Sequence, residues 1–227
     1  MNARAAVAVL TRQPAPGRTK SRLAERVGEQ SAAVLAEAFL RDTLAALADD
    51  DRWDVVLFVD PAGAVEAMTA LTGISDVRPQ TDGELGARML DAARRLAADG
   101  YAPVVIVGSD LPTLSAQHIE LALDGLGRAD VVFGPAEDGG YYLAGMNRPQ
   151  AALFDDGAIE WGSETVLETS QSLATAAGLD CIVLQPERDI DTAADLDWLC
   201  AHLDGLALGG APLPRHTAEA LRALDLR

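Results

Sequence analysis

The sequence predicts an α/β fold, a three-layer αβα sandwich with a mostly parallel central sheet. Short apolar runs rich in Val, Leu and Ile alternate with longer stretches of helical periodicity, and strands that alternate with helices in this way build a parallel sheet covered on both faces. The strand-like runs are continuous rather than alternating, as strands buried on both sides require. No internal repeat and no dividing linker interrupts the 227 residues, a length that suits one domain.

Taken in order, residues 5–10 read as a buried strand, followed by a Pro/Gly-rich loop over 12–19. Between 29 and 47, Val34, Leu35, Ala38, Phe39, Leu44 and Leu47 recur at helical spacing. Residues 55–59 form a second strand closed by Asp60-Pro61, then a short helix over 65–71 and a brief strand near Val77. A helix follows over 84–98, and the clearest strand of all is Val104-Val105-Ile106-Val107. A helix over 116–125, strands over 130–134 and 141–144, a helix over 164–177, an extended run over 181–184 and a helix over 195–203 complete the alternation. Gly209-Gly210, Pro212 and Pro214 mark a loop in the tail, with a final short helix after it.

Apolar residues make up 49% of the chain and aromatic ones only 4%, so a full core must be built from Ala, Val, Leu and Ile. The net charge of −17 argues against nucleic acid and anionic membrane as partners, since both need a basic patch. The few cations are nevertheless grouped. Arg4, Arg12, Arg18, Lys20, Arg22 and Arg26 crowd the first 26 residues against Glu25 alone, and Lys20 is the one lysine in the chain. Cys181 and Cys200 lack metal-ligand spacing and read as small buried residues. Residues 5–10 are too short for the apolar core of a signal peptide, and no run approaches the ~20 residues of a membrane span. A soluble, cytoplasmic protein is therefore expected.

In an open α/β sheet, ligands bind beyond the carboxyl ends of the strands, so the loop after each strand is where chemistry is sought. After the first comes Arg12-Gln13-Pro14-Ala15-Pro16-Gly17-Arg18-Thr19-Lys20-Ser21-Arg22-Leu23. Lysine is a compact point charge suited to a polyphosphate, and arginine can clamp two oxygens at once. A solvated basic loop has the same composition, but its place after a buried strand favours a phosphate cradle. Neither Walker A nor Gly-x-Gly-x-x-Gly spacing is present.

After the strand at 104–107 comes Gly108-Ser109-Asp110-Leu111-Pro112. Asp110 can hold Mg²⁺ (or Mn²⁺) against a phosphate, or cap the next helix, for which Ser115 is better placed. In Asp189-Ile190-Asp191-Thr192, residues two apart in extended backbone share a side. Two carboxylates there repel unless a cation neutralises them, although Asp191 or Thr192 could instead cap the following helix. Glu137-Asp138-Gly139-Gly140-Tyr141-Tyr142 lets backbone approach a ligand closely, or forms a plain turn. Trp161-Gly162-Ser163-Glu164-Thr165 opens a helix, with Ser163 as a capping residue or an acceptor contact. The polar segment over 80–89, entering a helix, reads as a nucleobase contact or a turn.

These segments together resemble the DUF2064 family of bacterial glycosyltransferase-like proteins (radical-SAM/selenodomain-associated transferase 1). The resemblance rests on the loop over 14–23, Gly83-Glu84-Leu85-Gly86-Ala87-Arg88-Met89, Gly108-Ser109-Asp110-Leu111-Pro112, the segment over 134–143 and Trp161-Gly162-Ser163. It covers roughly 5–203, and Asp138-Gly139-Gly140-Tyr141-Tyr142 is its most specific part. More distantly, Lys20-Ser21-Arg22-Leu23 and Asp189-Ile190-Asp191-Thr192-Ala193-Ala194-Asp195-Leu196 are similar to patterns of the phospholactate/phosphoenolpyruvate guanylyltransferases. That resemblance implies a GT-A-like (nucleotide-diphospho-sugar transferase) domain over 1–205, with 206–227 a loop and short helix. It also implies Asp110, Asp189 and Asp191 as metal carboxylates, Lys20 on the nucleotide phosphates, and Gly162 and Ser163 near the acceptor. The chain departs from those enzymes at Asp138-Gly139-Gly140-Tyr141, where their acceptor does not simply carry over.

The expected activity is Mg-dependent nucleotidyl transfer from a nucleoside triphosphate to a small phosphate- or carboxylate-bearing acceptor. Lys20, Arg22 and Asp110 are the expected catalytic groups. The expected nucleotide contacts are Leu10, Thr11, Pro16, Gly17, Lys20, Gln80, Gly86 and Arg88. Asp138, Gly139, Gly140, Tyr141, Trp161, Gly162, Ser163 and Glu164 are expected around the acceptor. Glycosyl transfer from a nucleotide sugar, with Asp138 or Glu164 as base, and a non-catalytic nucleotide-binding protein are the alternatives. The mostly charged helix faces mark no oligomer interface.

Overall fold

Residues 3–48, 51–154 and 157–227 are described in a computed structural model of the chain. The strands are β1 (Ala5–Arg12), β2 (Trp53–Asp60), β3 (Val77–Pro79), β4 (Val104–Val107), β5 (Val131–Pro135), β6 (Tyr141–Met146) and β7 (Cys181–Val183). They form a sheet in the order β3-β2-β1-β4-β6-β5-β7. β1 runs parallel to β2 over its whole length, Ala5 opposite Trp53 through Arg12 opposite Asp60, and parallel to β4 on its other side. β6 is antiparallel to both β4 and β5. Its first residues, Tyr141 to Leu143, therefore lie where the parallel strands end.

The helices are α1 (Ser21–Val27), α2 (Glu29–Leu47), α3 (Val65–Thr72), α4 (Leu85–Ala98), α5 (Ala116–Leu126), α6 (Val166–Ala176), α7 (Ala193–Leu208) and α8 (Arg215–Ala223). β1 shows why the sheet is covered on both sides. Its Val7 and Val9 join a cluster with Leu40, Leu44, Met68 and Ile119 of α2, α3 and α5. Its Ala6 and Ala8 join a second cluster with Met89, Ala92, Ala93 and Leu96 of α4 and Ala174 of α6. Alternate residues of a strand point to opposite faces, and here both faces are apolar. Small residues on the α4 side let helix and strand pack closely.

A third cluster lies away from the sheet. Leu23, Leu35, Phe39, Ile190, Leu199 and Leu221 draw α1, α2, α7 and α8 together behind the loop that carries Lys20. Asp42, buried within α2, accepts from the His216 and Thr217 backbone N–H groups at 2.9 and 2.7 Å. It thereby satisfies the open first turn of α8, and the C-terminal helix is packed into this cluster.

Two local features, at α1 and α6, differ from expectation. α1 follows Lys20 at once, a helix that seven residues are too few to announce by periodicity. α6 begins at Val166 with Thr165 at its N-cap position, so Ser163 is not the cap; its hydroxyl instead accepts from the Thr165 N–H at 3.3 Å. α7 is capped by Thr192 in a reciprocal box with Asp195, which leaves Asp191 free of that duty. Ser115 stands at the N-cap of α5, as its spacing predicts. No described helix is long and apolar enough to cross a membrane.

Candidate active site

The chain steps outward from β1 to β2 and β3, then returns to place β4 on β1's other side. Such a reversal opens a crevice at the strands' carboxyl ends. A cavity of about 590 Å³ lies there, reached by residues that follow β1, β2, β3, β4 and β7 and by the start of β6. Across the reversal itself, Thr11 Oγ1 and Ser109 Oγ hydrogen-bond at 2.9 Å.

Lys20 holds one corner. Its backbone is left-handed (φ 53°, ψ 47°), a conformation costing a non-glycine residue about 1–2 kcal/mol. That turn sends the side chain inward, where it is 5% exposed. Nζ meets Asp110 Oδ1 and Asp191 Oδ1, each at 2.6 Å, and donates to the Ile190 carbonyl at 2.8 Å. Burial works to lower its pKa, but the charges and hydrogen bonds of Asp110 and Asp191 outweigh it and hold the amine above the ordinary lysine value, fully protonated. Arg22 reaches the other Asp191 oxygen at 3.1 Å.

The Asp-Ile-Asp triplet is positioned by its middle residue. Ile190 is fully buried in the third cluster, and its N–H donates to the Asp110 carbonyl at 2.9 Å. Asp189 and Asp191 therefore turn the other way together, and both line the cavity with Asp110. Asp191, despite burial, is held below the usual carboxylate range by Lys20. Asp189 has no hydrogen-bond or ion-pair partner among the described residues. Burial first, and then the charge of Asp110, push its pKa up to about 7.

A second corner forms around Asp60. Arg88 donates Nη1 to Asp60 Oδ2 at 3.0 Å and Nε to the Gly83 carbonyl at 2.8 Å, and Arg12 meets the same Asp60 oxygen at 3.4 Å. Gln80 Nε2 donates to the Thr11 and Phe58 carbonyls at 2.9 and 3.0 Å. Both amide hydrogens are thus spent on the sheet, and Gln80 braces the cleft floor.

Of the expected nucleotide contacts, Leu10, Thr11, Lys20, Gln80 and Arg88 line this cavity, while Pro16, Gly17 and Gly86 do not. Gly86 is buried inside α4. The expected acceptor segment divides. Tyr141 lines the main cavity, and Asp138 lines a neighbouring one of about 250 Å³, which shares Arg22, Asp189 and Asp191 with the first and adds Arg188, Thr192 and Asp195. Gly139, Gly140, Trp161, Gly162, Ser163 and Glu164 line neither. A side chain on Gly139 would collide with the Glu164 backbone, and the Gly139 carbonyl accepts from the Leu167 N–H at 3.0 Å. The glycine there serves chain packing. Trp161 stands edge-on to Tyr141, centroids 6.4 Å apart.

Asp60, Ser109, Glu84 and Tyr142 also line the cleft, although the residues expected at the site did not include them. Asp60 and Ser109 sit directly after strands, so the rule that located Asp110 also points to them. Tyr142 had no such signal; its ring needs the space left by Gly134, whose Cβ would fall 2.5 Å from the ring carbon Cζ.

For a metal, Asp110, Asp189 and Asp191 are the acidic groups that the cleft gathers at its Lys20 corner. Among the described residues no set of three His, Cys, Asp or Glu side chains stands ready around one point, and Lys20 holds an oxygen each of Asp110 and Asp191. The partnerless Asp189 beside them is nevertheless a carboxylate short of a cation, and hard oxygen donors of this kind suit Mg²⁺ or Mn²⁺.

Comparison with known proteins agrees with this architecture. The profile of a family described as "Uncharacterized protein conserved in bacteria (DUF2064)" matches residues 43–163. A 3-phospho-D-glycerate guanylyltransferase of Phenylobacterium zucineum is 31% identical over 212 residues, spanning 92% of each chain. A 2-phospho-L-lactate guanylyltransferase of Methanothermobacter thermautotrophicus is 29% identical over 209 residues, 90% of this chain and 85% of that one. The crystal structure of a provisionally named nucleotide-diphospho-sugar transferase from Desulfovibrio desulfuricans G20 superposes with a TM-score of 0.87 at 31% identity, covering 98% of this chain and 96% of the other. This chain belongs to the DUF2064 family and is a transferase of the nucleotide-diphospho-sugar-transferase fold.

Proposed function

We propose that the protein transfers a nucleotidyl group, most specifically guanylyl from GTP, to a small phosphorylated hydroxy acid. The observation that carries this is the buried, permanently charged Lys20 at the crevice of the sheet reversal, with Arg22 beside it: two cations suit a triphosphate better than a sugar diphosphate. The relatives named as guanylyltransferases support GTP as donor and a phospho-acid as acceptor.

In the reaction, a phosphate oxygen of the acceptor forms a bond to the α-phosphorus of the nucleotide. The bond from that phosphorus to the bridging oxygen breaks, and pyrophosphate leaves with the electron pair. Lys20 and Arg22 stabilise the negative charge that gathers on the leaving group. Arg22 lines both cavities, which places it to orient an acceptor phosphate against the nucleotide. Asp138 and Tyr141 would wall the acceptor. Asp110, Asp189 and Asp191 would hold Mg²⁺ or Mn²⁺, which when bound neutralises the reacting phosphates and aligns them.

The test is product analysis. The protein is supplied with each nucleoside triphosphate or a nucleotide sugar, together with 3-phospho-D-glycerate or 2-phospho-L-lactate and Mg²⁺. Acceptor-dependent pyrophosphate release with GTP is expected. Nucleoside diphosphate released from the sugar nucleotide would replace this reading with glycosyl transfer, and binding without turnover would make the protein a nucleotide carrier.

A further inference from the structure

We infer that Glu84 and Arg88, four residues apart at the start of α4, read the base edge of a guanine nucleotide. The inference rests on the nucleotidyl-transfer reading and assigns the residues that choose the base. Glu84 is the N-cap residue of α4, its carbonyl accepts from the Arg88 N–H at 3.2 Å in the first turn, and both residues line the main cavity. They belong to its β2–β3 side, since Arg88 is tied to Asp60 at the end of β2 and to the Gly83 carbonyl. Lys20 belongs to the β4 side through Asp110. β2 and β4 flank β1, so the two sides stand two strand spacings apart, roughly 10 Å, comparable with the reach from a nucleobase to its polyphosphate.

The two side chains offer complementary chemistry. Glu84 is exposed and makes no side-chain cap for α4, and its carboxylate has no hydrogen-bond or ion-pair partner among the described residues. The cleft's Asp60 is taken by Arg12 and Arg88, and Asp110 and Asp191 by Lys20. Glu84 is thus the carboxylate on this side with both oxygens open. Arg88 is pinned through Nε and Nη1, while its Nη2 makes no hydrogen bond among the described residues. Guanine presents two adjacent donors, N1–H and the 2-amino group, beside the O6 acceptor. A carboxylate answers the donors and a guanidinium the acceptor. Adenine and cytosine offer a ring-nitrogen acceptor where Glu84 needs a donor, and uracil lacks the amino group. Next to the pair, Leu85 is 46% exposed despite its apolar side chain, and with Met89 it gives the cleft an apolar wall for the face of a base.

The test is calorimetric titration of the full chain with GTP, ITP and ATP in Mg²⁺, for wild type and Glu84→Gln. ITP differs from GTP only by the missing 2-amino group. Wild type is expected to prefer GTP over ITP by roughly ten- to a hundredfold, the range for one well-formed base contact, and over ATP by at least as much. Glu84→Gln is expected to bring GTP and ITP to within about threefold of each other, with the ligand-free melting temperature confirming its fold. Equal binding of GTP and ITP by wild type, or an undiminished preference in the variant, would overturn the assignment while leaving nucleotidyl transfer standing. The second of these results is what a Glu84 serving only the helix dipole would give. A chain that binds none of the three nucleotides overturns both.

Discussion

The Lys20 corner and the turn at Gly139 lie on the same side of the molecule, and both were expected to meet ligands. At Lys20, groups from three distant segments converge and remain electrostatically unfinished: one ammonium serves two carboxylates, and Asp189 is left over. At Gly139, the partners answer one another. Asp138 Oδ1 accepts from the Gly140 N–H at 3.0 Å, the Gly139 carbonyl takes the Leu167 N–H, and Ser163 and Thr165 hydroxyls pair at 2.9 Å. A self-satisfied cluster stabilises the fold whether or not a ligand arrives. An unbalanced one invites a cation, because burial without a partner disfavours the charged carboxylate.

The sharpest way to break this contrast is Lys20→Ala. Removing a preorganised charge from the reacting phosphates should lower kcat by roughly 10²–10³-fold, measured by pyrophosphate release at saturating nucleotide. A variant with wild-type turnover would show that the unbalanced corner is not where chemistry happens.

The other corner should fail in stability. Gly139 has φ +89°, and an added Cβ would strike the Glu164 backbone. Gly139→Ala should cost about 2–4 kcal/mol from left-handed strain and overpacking together, read by denaturant unfolding. Gly162 has a similar φ of +87° but open space around it, so Gly162→Ala isolates the strain at about 1–2 kcal/mol. Equal losses in the two variants would mean that close packing against Glu164 is not what requires Gly139.

Much of the architecture was legible because burial leaves a direct trace in sequence. Val104 to Val107 read as a doubly buried strand, and that is what they form. Asp110, Asp189 and Asp191 were legible as a group because they follow strands or alternate about a buried Ile. Two kinds of feature were not legible. The first is local conformation that sterics disfavour: nothing announces that Lys20 adopts φ 53°, since tertiary contacts of its side chain hold it there. The second is the ambiguity of small residues, as a glycine that admits a phosphate and one that admits a neighbouring backbone are written alike. Gln80 adds a polar example, since an amide free to read a base and one bracing two strands look the same until both hydrogens are traced.

The remaining two variants sharpen the boundary between the corners. Arg22 is 66% exposed and holds Asp191 at 3.1 Å, so Arg22→Gln should raise the acceptor KM about tenfold, as expected for a charge-assisted phosphate contact. Ser163→Ala should do least. Its hydroxyl is exposed, already paired with Thr165, and outside both cavities. If the acceptor phosphate sits at Arg22, its KM should shift by less than about threefold, within the small loss of an exposed hydrogen bond. A tenfold shift in acceptor KM with unchanged nucleotide KM would move the acceptor to the 161–164 segment. The capping geometry would then have to open when the acceptor binds, and the Gly139 corner would be a closed form of a binding site.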